Sequence, residues 1–189
     1  MNEHPIRFKG DMVRAILDGR KTMTRRVVKP QPESGTDCPY HAAGRARVCP
    51  YGAPGGRLWV REAWRVDGID IQSGADVESM TDNLQYREEM LNDRGFTDCK
   101  WKPSIHMPRW ASRITLEVTG VRVERVQAIT EADAEAEGIA FMRDIPDADE
   151  TLTAKVLFEI LWESINAKRG YGWDVNPWVW VVEFRRVAL

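Results

Sequence analysis

The sequence predicts an α+β fold: a small, mixed or mostly antiparallel β-barrel with peripheral helices. Two observations predict it. Roughly six stretches alternate apolar and polar residues with a period of two, and roughly three show helical spacing. The strand-like stretches are also not separated by regular crossover helices, which argues against a doubly wound parallel sheet. The 189 residues suit one domain with loop insertions near 30–56 and 67–100.

Pro5 to Lys9 reads as a first strand, with Ile6 and Phe8 alternating against Arg7 and Lys9. Residues 11–18 place Met12, Val13, Ile16 and Leu17 at helical spacing, and Gly19 suits the left-handed residue that ends a helix. Thr24 to Val28 returns to a strand. Lys29 to Gly56 carries Pro30, Pro32, Pro39, Pro50 and Pro54 and reads as a long loop. Arg57 to Arg65 is the next strand, with Leu58, Val60 and Glu62 on one face. Asp67 to Cys99 is weakly patterned, with room for a short helix around Leu84 to Leu91.

Trp101 to Trp110 holds two prolines and reads as extended and irregular. Ile114 to Val118 and Val121 to Val126 form a hairpin or one bent strand around Thr119-Gly120. Thr130 opens a helix that Gly138 ends, with Asp133 in capping position. A further helix spans about Asp149 to Ala167, with Leu152, Val156, Ile160 and Ile165 near its apolar face and Leu161 and Trp162 beside them. Trp178 to Val187 is the last strand.

Hydrophobic content of 43% and charged content of 30% are those of a globular domain. No apolar run approaches the roughly 20 residues needed to span a bilayer. The polar start Met1-Asn2-Glu3-His4-Pro5 lacks a signal-peptide apolar region, so the expectation is a cytoplasmic protein with no membrane partner. Net charge is −2, which excludes a globally basic nucleic-acid binder. The charges are segregated, however. Residues 1–29 hold eight Lys/Arg against three Asp/Glu, and residues 100–125 six against two. Residues 67–99 hold two against nine, and residues 130–164 two against ten. The basic segments either share a positive surface or are covered by acidic helices.

Cys38, Cys49 and Cys99 are too few for a disulfide framework. A zinc site from Cys38, His41, Cys49 and a fourth ligand is conceivable, but the spacing matches no standard module. There is no Gly-rich phosphate loop and no His-Glu-x-x-His motif, and no Cys sits in an activating context.

What remains is a Lys–Thr–carboxylate set. A threonine hydroxyl is a weak nucleophile until a base takes its proton. Lysine serves only when neutral, which burial and neighbouring cations favour and a nearby carboxylate opposes. Lys21 and Thr24 are the candidates, with Glu62 or Glu137 as the acid. Glu62 reads equally well as the partner of an arginine. Trp59, Trp162, Trp178 and Trp180 are assigned to packing. Trp64, Trp101 and Trp110 flank basic segments and are candidates to stack on a base, with His106, Arg109 and Arg113 for phosphate or base edges.

The motif Gly-x-Lys-x-x-Thr-x-Arg, standing here as Gly19, Lys21, Thr24 and Arg26, resembles the signature of ASCH domains, a branch of the PUA-like superfamily. The helix with Ala134-Glu135-Ala136-Glu137 adds to the likeness. Tyr51-Gly52 to Glu62-Ala63-Trp64, Pro103 to Trp110, and Asn176-Pro177-Trp178-Val179-Trp180 are similar to longer members from phages and prophages. The resemblance implies a PUA-like β-barrel whose cleft faces RNA or a modified nucleoside. Some small bacterial members are amidohydrolases that remove the acetyl group from N4-acetylcytidine. By motif, the catalytic set carried over is Lys21, Thr24 and Glu137, with no metal or cofactor. Arg25, Arg26, Glu62, Trp64, His106, Arg109 and Trp110 are the candidates to bind substrate, an N4-acylated cytidine or a modified RNA base. The alternatives are an RNA-binding module without acyl chemistry and a ribonuclease of ASCH type.

Overall fold

The computed structural model describes residues 3–32, 49–67, 80–81, 83–90, 100–144 and 151–187. The main sheet has five strands: β1 (Glu3–Arg7), β2 (Met23–Val27), β3 (Arg57–Arg61), β6 (Thr115–Arg125) and β7 (Trp178–Val187). Their order is β1-β3-β6-β7-β2, with β1 parallel to β3 and every other pairing antiparallel. A second sheet pairs β4 (Trp64–Val66) with β5 (Leu84–Tyr86). The helices are α1 (Gly10–Leu17), α2 (Arg87–Met90), α3 (Glu131–Ala136) and α4 (Ala154–Asn166). This is the expected α+β class with helices outside a small mixed sheet.

The sheet curls so that its two end strands approach each other. Arg26 on β2 donates from Nη2 to the carbonyl of Arg7 on β1 at 2.6 Å. The enclosed face is a core of Ile6, Val13, Ile16, Leu58, Val60, Leu116, Val118, Trp180, Val182 and Phe184. The opposite face of β7, through Val179 and Val181, packs with Met23 against Ala134 of α3 and Leu157, Phe158 and Trp162 of α4. β7 is therefore covered on both faces over Trp178 to Val182, which is why that stretch is a continuous apolar run.

The structure refines several expectations. The strand foreseen over 57–65 divides at Glu62-Ala63, and its halves join different sheets. The chain around Thr119-Gly120 is one bent strand, with a register shift between Val118 and Gly120. A Cβ at Gly120 would lie 2.7 Å from Glu183 Oε2, so a larger residue in the bulge would have to displace that side chain. Around Leu84 to Leu91, β5 and the four residues of α2 replace a single helix. The α4 helix starts at Ala154, later than Asp149, because the Thr153 side chain accepts a hydrogen bond from Val156 N. Its buried stripe is Ala154, Leu157, Phe158 and Trp162, and Ile160 stays 45% exposed. Most of both insertions, with Cys38 and His41 of the conceivable zinc site, lies outside the described residues. Among the described residues, no helix is long and apolar enough to cross a membrane.

The helix ends position the site. Gly19 (φ +74°) turns the chain after α1, and the amides of Arg20 and Lys21 both donate to Ala15 O, at 2.8 and 2.9 Å. Thr22 then fastens the turn twice. Its amide donates to Ala136 O at the end of α3, and its carbonyl accepts from Phe184 N of β7. Gly138 (φ +76°) ends α3 against this turn, where an added Cβ would lie 2.8 Å from Lys21 Cβ and 2.9 Å from Ala15 Cβ. Gly138→Ala is expected to cost roughly 1–3 kcal/mol from left-handed strain, with the steric clash in addition. Urea unfolding measures it, and Gly55→Ala, with the same sign of φ (+85°) and open space around it, isolates the strain.

Candidate functional site

A cavity of about 970 Å³ opens beside β2 and the end of β1. Its lining includes Phe8, Lys21, Thr24, Arg25, Arg26, Tyr51, Glu137, Phe158 and Trp162. The three residues singled out for chemistry thus share one cavity, and all are buried: Lys21, Thr24 and Glu137 are 3%, 4% and 5% exposed. Sequence separation is overcome by the paired helix ends. The turn after α1 brings Lys21, β2 brings Thr24, and the C-cap of α3 brings Glu137.

Lys21 Nζ donates to three oxygens: Met23 O at 2.7 Å, Glu137 O at 2.7 Å and Glu137 Oε2 at 2.8 Å. Three acceptors use all three protons of an ammonium. Burial pulls the Lys21 amine below its usual range, the Glu137 carboxylate opposes this through its charge and hydrogen bond, and Arg26 and Arg25 push in the same direction as burial. The opposing influences identified from sequence therefore all act on this amine. Among the described residues, no hydrogen bond engages the Thr24 hydroxyl.

Arg25 has a different place from the one expected. Its guanidinium has no exposed surface and is consumed by three carboxylates: Glu124 at 2.5 Å, Asp133 at 2.7 Å and Glu137 Oε1 at 3.5 Å. It lies over the Phe158 ring, 5.9 Å from its centroid. Arg122 extends the network by pairing with Glu124, Asp133 and Glu183. Arg25 is thus a clamp that fixes α3, and with it Glu137, onto β2. Its charge is already neutralised, so it is not free to hold substrate.

Arg26 lines the cavity, as Arg25 does, but Glu62, Trp64, His106, Arg109 and Trp110 do not. Glu62, 2% exposed, is held by Arg113 Nε at 3.0 Å and Nη2 at 3.0 Å, the arginine pairing that was its alternative reading. Trp64 is 3% exposed and packs edge-on against Trp110, ring centroids 5.8 Å apart, which removes both faces from stacking duty in the cavity. Arg109 pairs with Glu3 at 2.7 Å. His106 lies exposed on the 3₁₀ turn Ser104–His106, and from that turn it is Ser104 that reaches the cavity. Sequence reasoning missed Arg7, Phe8, Lys9, Lys29, Asn166, Arg169 and Tyr171. The basic surplus of residues 1–29 was the available signal for the first cations. Nothing local marked Asn166 to Tyr171.

No family model matches the chain. No curated protein matches it either. Two solved structures are similar. A crystal structure of an Enterococcus faecalis protein of the family DUF984 is 10% identical with a TM-score of 0.46, covering 99% of this chain and 82% of that one. An ASCH domain from Lactobacillus crispatus is 13% identical with a TM-score of 0.42, covering 98% of this chain and 79% of that one.

Outside the cavity, Glu62 gives a pH-dependent expectation. Burial raises its carboxyl above the usual range and the Arg113 hydrogen bonds oppose the rise. A raised folded value means that the folded state favours the proton. That contribution is complete below the unfolded value, roughly 4.3, and is lost as pH rises through the folded one. Arg113→Gln should therefore cost roughly 3 kcal/mol at pH 7, where a buried charge loses its partner, and clearly less near pH 4. Denaturant titrations at the two pH values check it.

Proposed function

We propose that the protein is an amidohydrolase that removes the acyl group from an N4-acylated cytosine, with Thr24 as nucleophile and the Lys21–Glu137 pair as its acid and base. The observation that carries this reading is the 2.8 Å contact of Lys21 Nζ with Glu137 Oε2 in the same buried cavity wall as Thr24. The motif resemblance at Gly19, Lys21, Thr24 and Arg26 supports it.

The pair also answers the chemical difficulty. An ammonium with three acceptors cannot act as a base. In a buried site, though, the two charged forms are disfavoured together, so passing the proton from Nζ to Oε2 leaves a neutral amine and a neutral acid. The amine takes the Thr24 proton as Oγ attacks the acyl carbonyl. When the tetrahedral intermediate collapses, Glu137 gives its proton to the leaving N4, restoring carboxylate and ammonium. Water then hydrolyses the threonine ester with Glu137 as base, and the net reaction is amide plus water to amine plus carboxylic acid. No step requires a metal ion.

Incubation with N4-acetylcytidine, read by chromatography for cytidine, tests the reading. Thr24→Val and Lys21→Met should each lower kcat by about 10²-fold or more. The kcat/KM profile should be bell-shaped, its two apparent pKa values belonging to the pair. In Glu137→Gln a single limb rising with pH should remain, because only the neutral lysine is then competent. A Thr24→Val enzyme of full activity would remove the proposed nucleophile. Binding of single-stranded RNA with no turnover of any acylated nucleoside would favour the RNA-binding alternative.

A further inference from the structure

The charge of the cavity exceeds what the deacylation set uses. Once Lys21 and Arg25 are set aside with their carboxylates, five cations remain on the lining: Arg7, Lys9, Arg26, Lys29 and Arg169. Among the described residues, none of the five makes an ion pair with a carboxylate. Arg26 stands at their centre. Its Nε is sealed from solvent without a hydrogen-bond partner, although Nη2 reaches Arg7 O. Burial, together with the like charges of Arg7 and Arg169, works against its charged form, while Tyr51 and Glu137 partly offset them. Guanidinium groups gathered round a partly enclosed space without a counter-charge repel one another, and an anion in that space reverses the sign of the interaction.

We propose that the cavity seats the phosphate of a phosphorylated substrate on Arg26, with Arg7 and Arg169 flanking it, so that the substrate is a nucleotide and not a free nucleoside. The proposal rests on the deacylase reading for the identity of the base, and on the cations alone for the phosphate. The planar guanidinium fork matches phosphate oxygens, and a terminal phosphate brings a charge of about −1.5 to −2. Position supports it as well. Thr24 and Arg26 are two apart on β2 and so project to the same side. The Phe8 ring has Lys21 Nζ 5.4 Å and Arg26 Cζ 5.2 Å from its centroid, and Lys21, Thr24 and Arg26 all line the one cavity. The volume is near the upper end of the roughly 300–1,000 Å³ usual for small-molecule sites, with room for a nucleotide.

Equilibrium binding by calorimetry tests this without acyl turnover, so its failure is separable from failure of the deacylase reading. The probes are cytidine, cytidine 5′-monophosphate and a short oligocytidylate, against the unaltered protein, Arg26→Gln and Arg169→Gln. Arg169 is exposed, so its variant keeps the test decisive if Arg26→Gln does not fold. The monophosphate should bind on the order of tenfold tighter than cytidine, and the advantage should shrink with added salt and fall toward parity in each folded variant. An oligocytidylate that outcompetes the monophosphate, with the same dependence on Arg26 and Arg169, would keep the phosphate seat and assign it to strand phosphates. Equal binding of cytidine and its monophosphate, no binding of either, or a phosphate advantage untouched in the folded variants would overturn the proposal.

Discussion

The site depends on one buried contact, the Lys21 ammonium enclosed by Met23 O, Glu137 O and Glu137 Oε2. It joins the turn after α1 to the end of α3, and nothing in the covalent chain would otherwise bring residues 21 and 137 together. Two of the three acceptors are backbone carbonyls, so the amine reads the position of the main chain as well as the carboxylate. A lysine at the carbonyl end of a helix is also favourably placed for the exposed carbonyl dipoles there. The close approach has a steric condition. Gly138 leaves room for the Lys21 stem, and Ala15 is the small residue that both accepts the turn's amides and packs beneath it.

Such a contact is weak as a source of stability. Removing two charges from water costs several kcal/mol per ion, and their attraction returns that only where every proton and lone pair is satisfied. Here the satisfaction is complete on the lysine side and is reinforced on the glutamate side by Arg25. The consequence is positional. Glu137 is held by two cations from different elements, which leaves its carboxylate little freedom to rotate, as acid–base chemistry requires of a group that must exchange a proton in one direction.

Much of the fold was legible because its signals are local. The alternation of Ile6 and Phe8 with Arg7 reports one-sided burial on a pleated surface, the apolar runs Leu58 to Val60 and Trp178 to Val182 report strands covered on both faces, and Thr130 with Gly138 brackets α3 by capping chemistry alone. The motif made Lys21 and Thr24 legible as a pair. The binding residues were not, because which surface a side chain faces is decided by tertiary pairing. Trp64 and Glu62 sit where the chain leaves the main sheet for β4, a division invisible in the continuous strand-like pattern of residues 57–65, and that division sends both away from the cavity. The α4 face was misjudged for a related reason: its buried stripe, Ala154, Leu157, Phe158 and Trp162, is the one that packs on α3 and β7.

The charge segregation seen in the sequence resolves into both of its readings, at different places. On one side of β2 the acidic α3 helix meets the basic strands, and Arg25 and Arg122 are neutralised by Glu124, Asp133 and Glu183, which is structural cancellation. On the other side, Arg26 faces Phe8 beside Arg7, and among the described residues it makes no ion pair with a carboxylate. Neighbouring residues of one edge strand thus carry like charges into opposite electrostatic environments. The period of two in the strand makes this possible, since Arg25 and Arg26 must point apart. A fold under selection for stability alone gains nothing from collecting unpaired guanidinium groups beside a buried hydroxyl. Departures of this kind from local consistency concentrate where a protein meets its ligand, and here the departure lies on the same edge strand as Thr24.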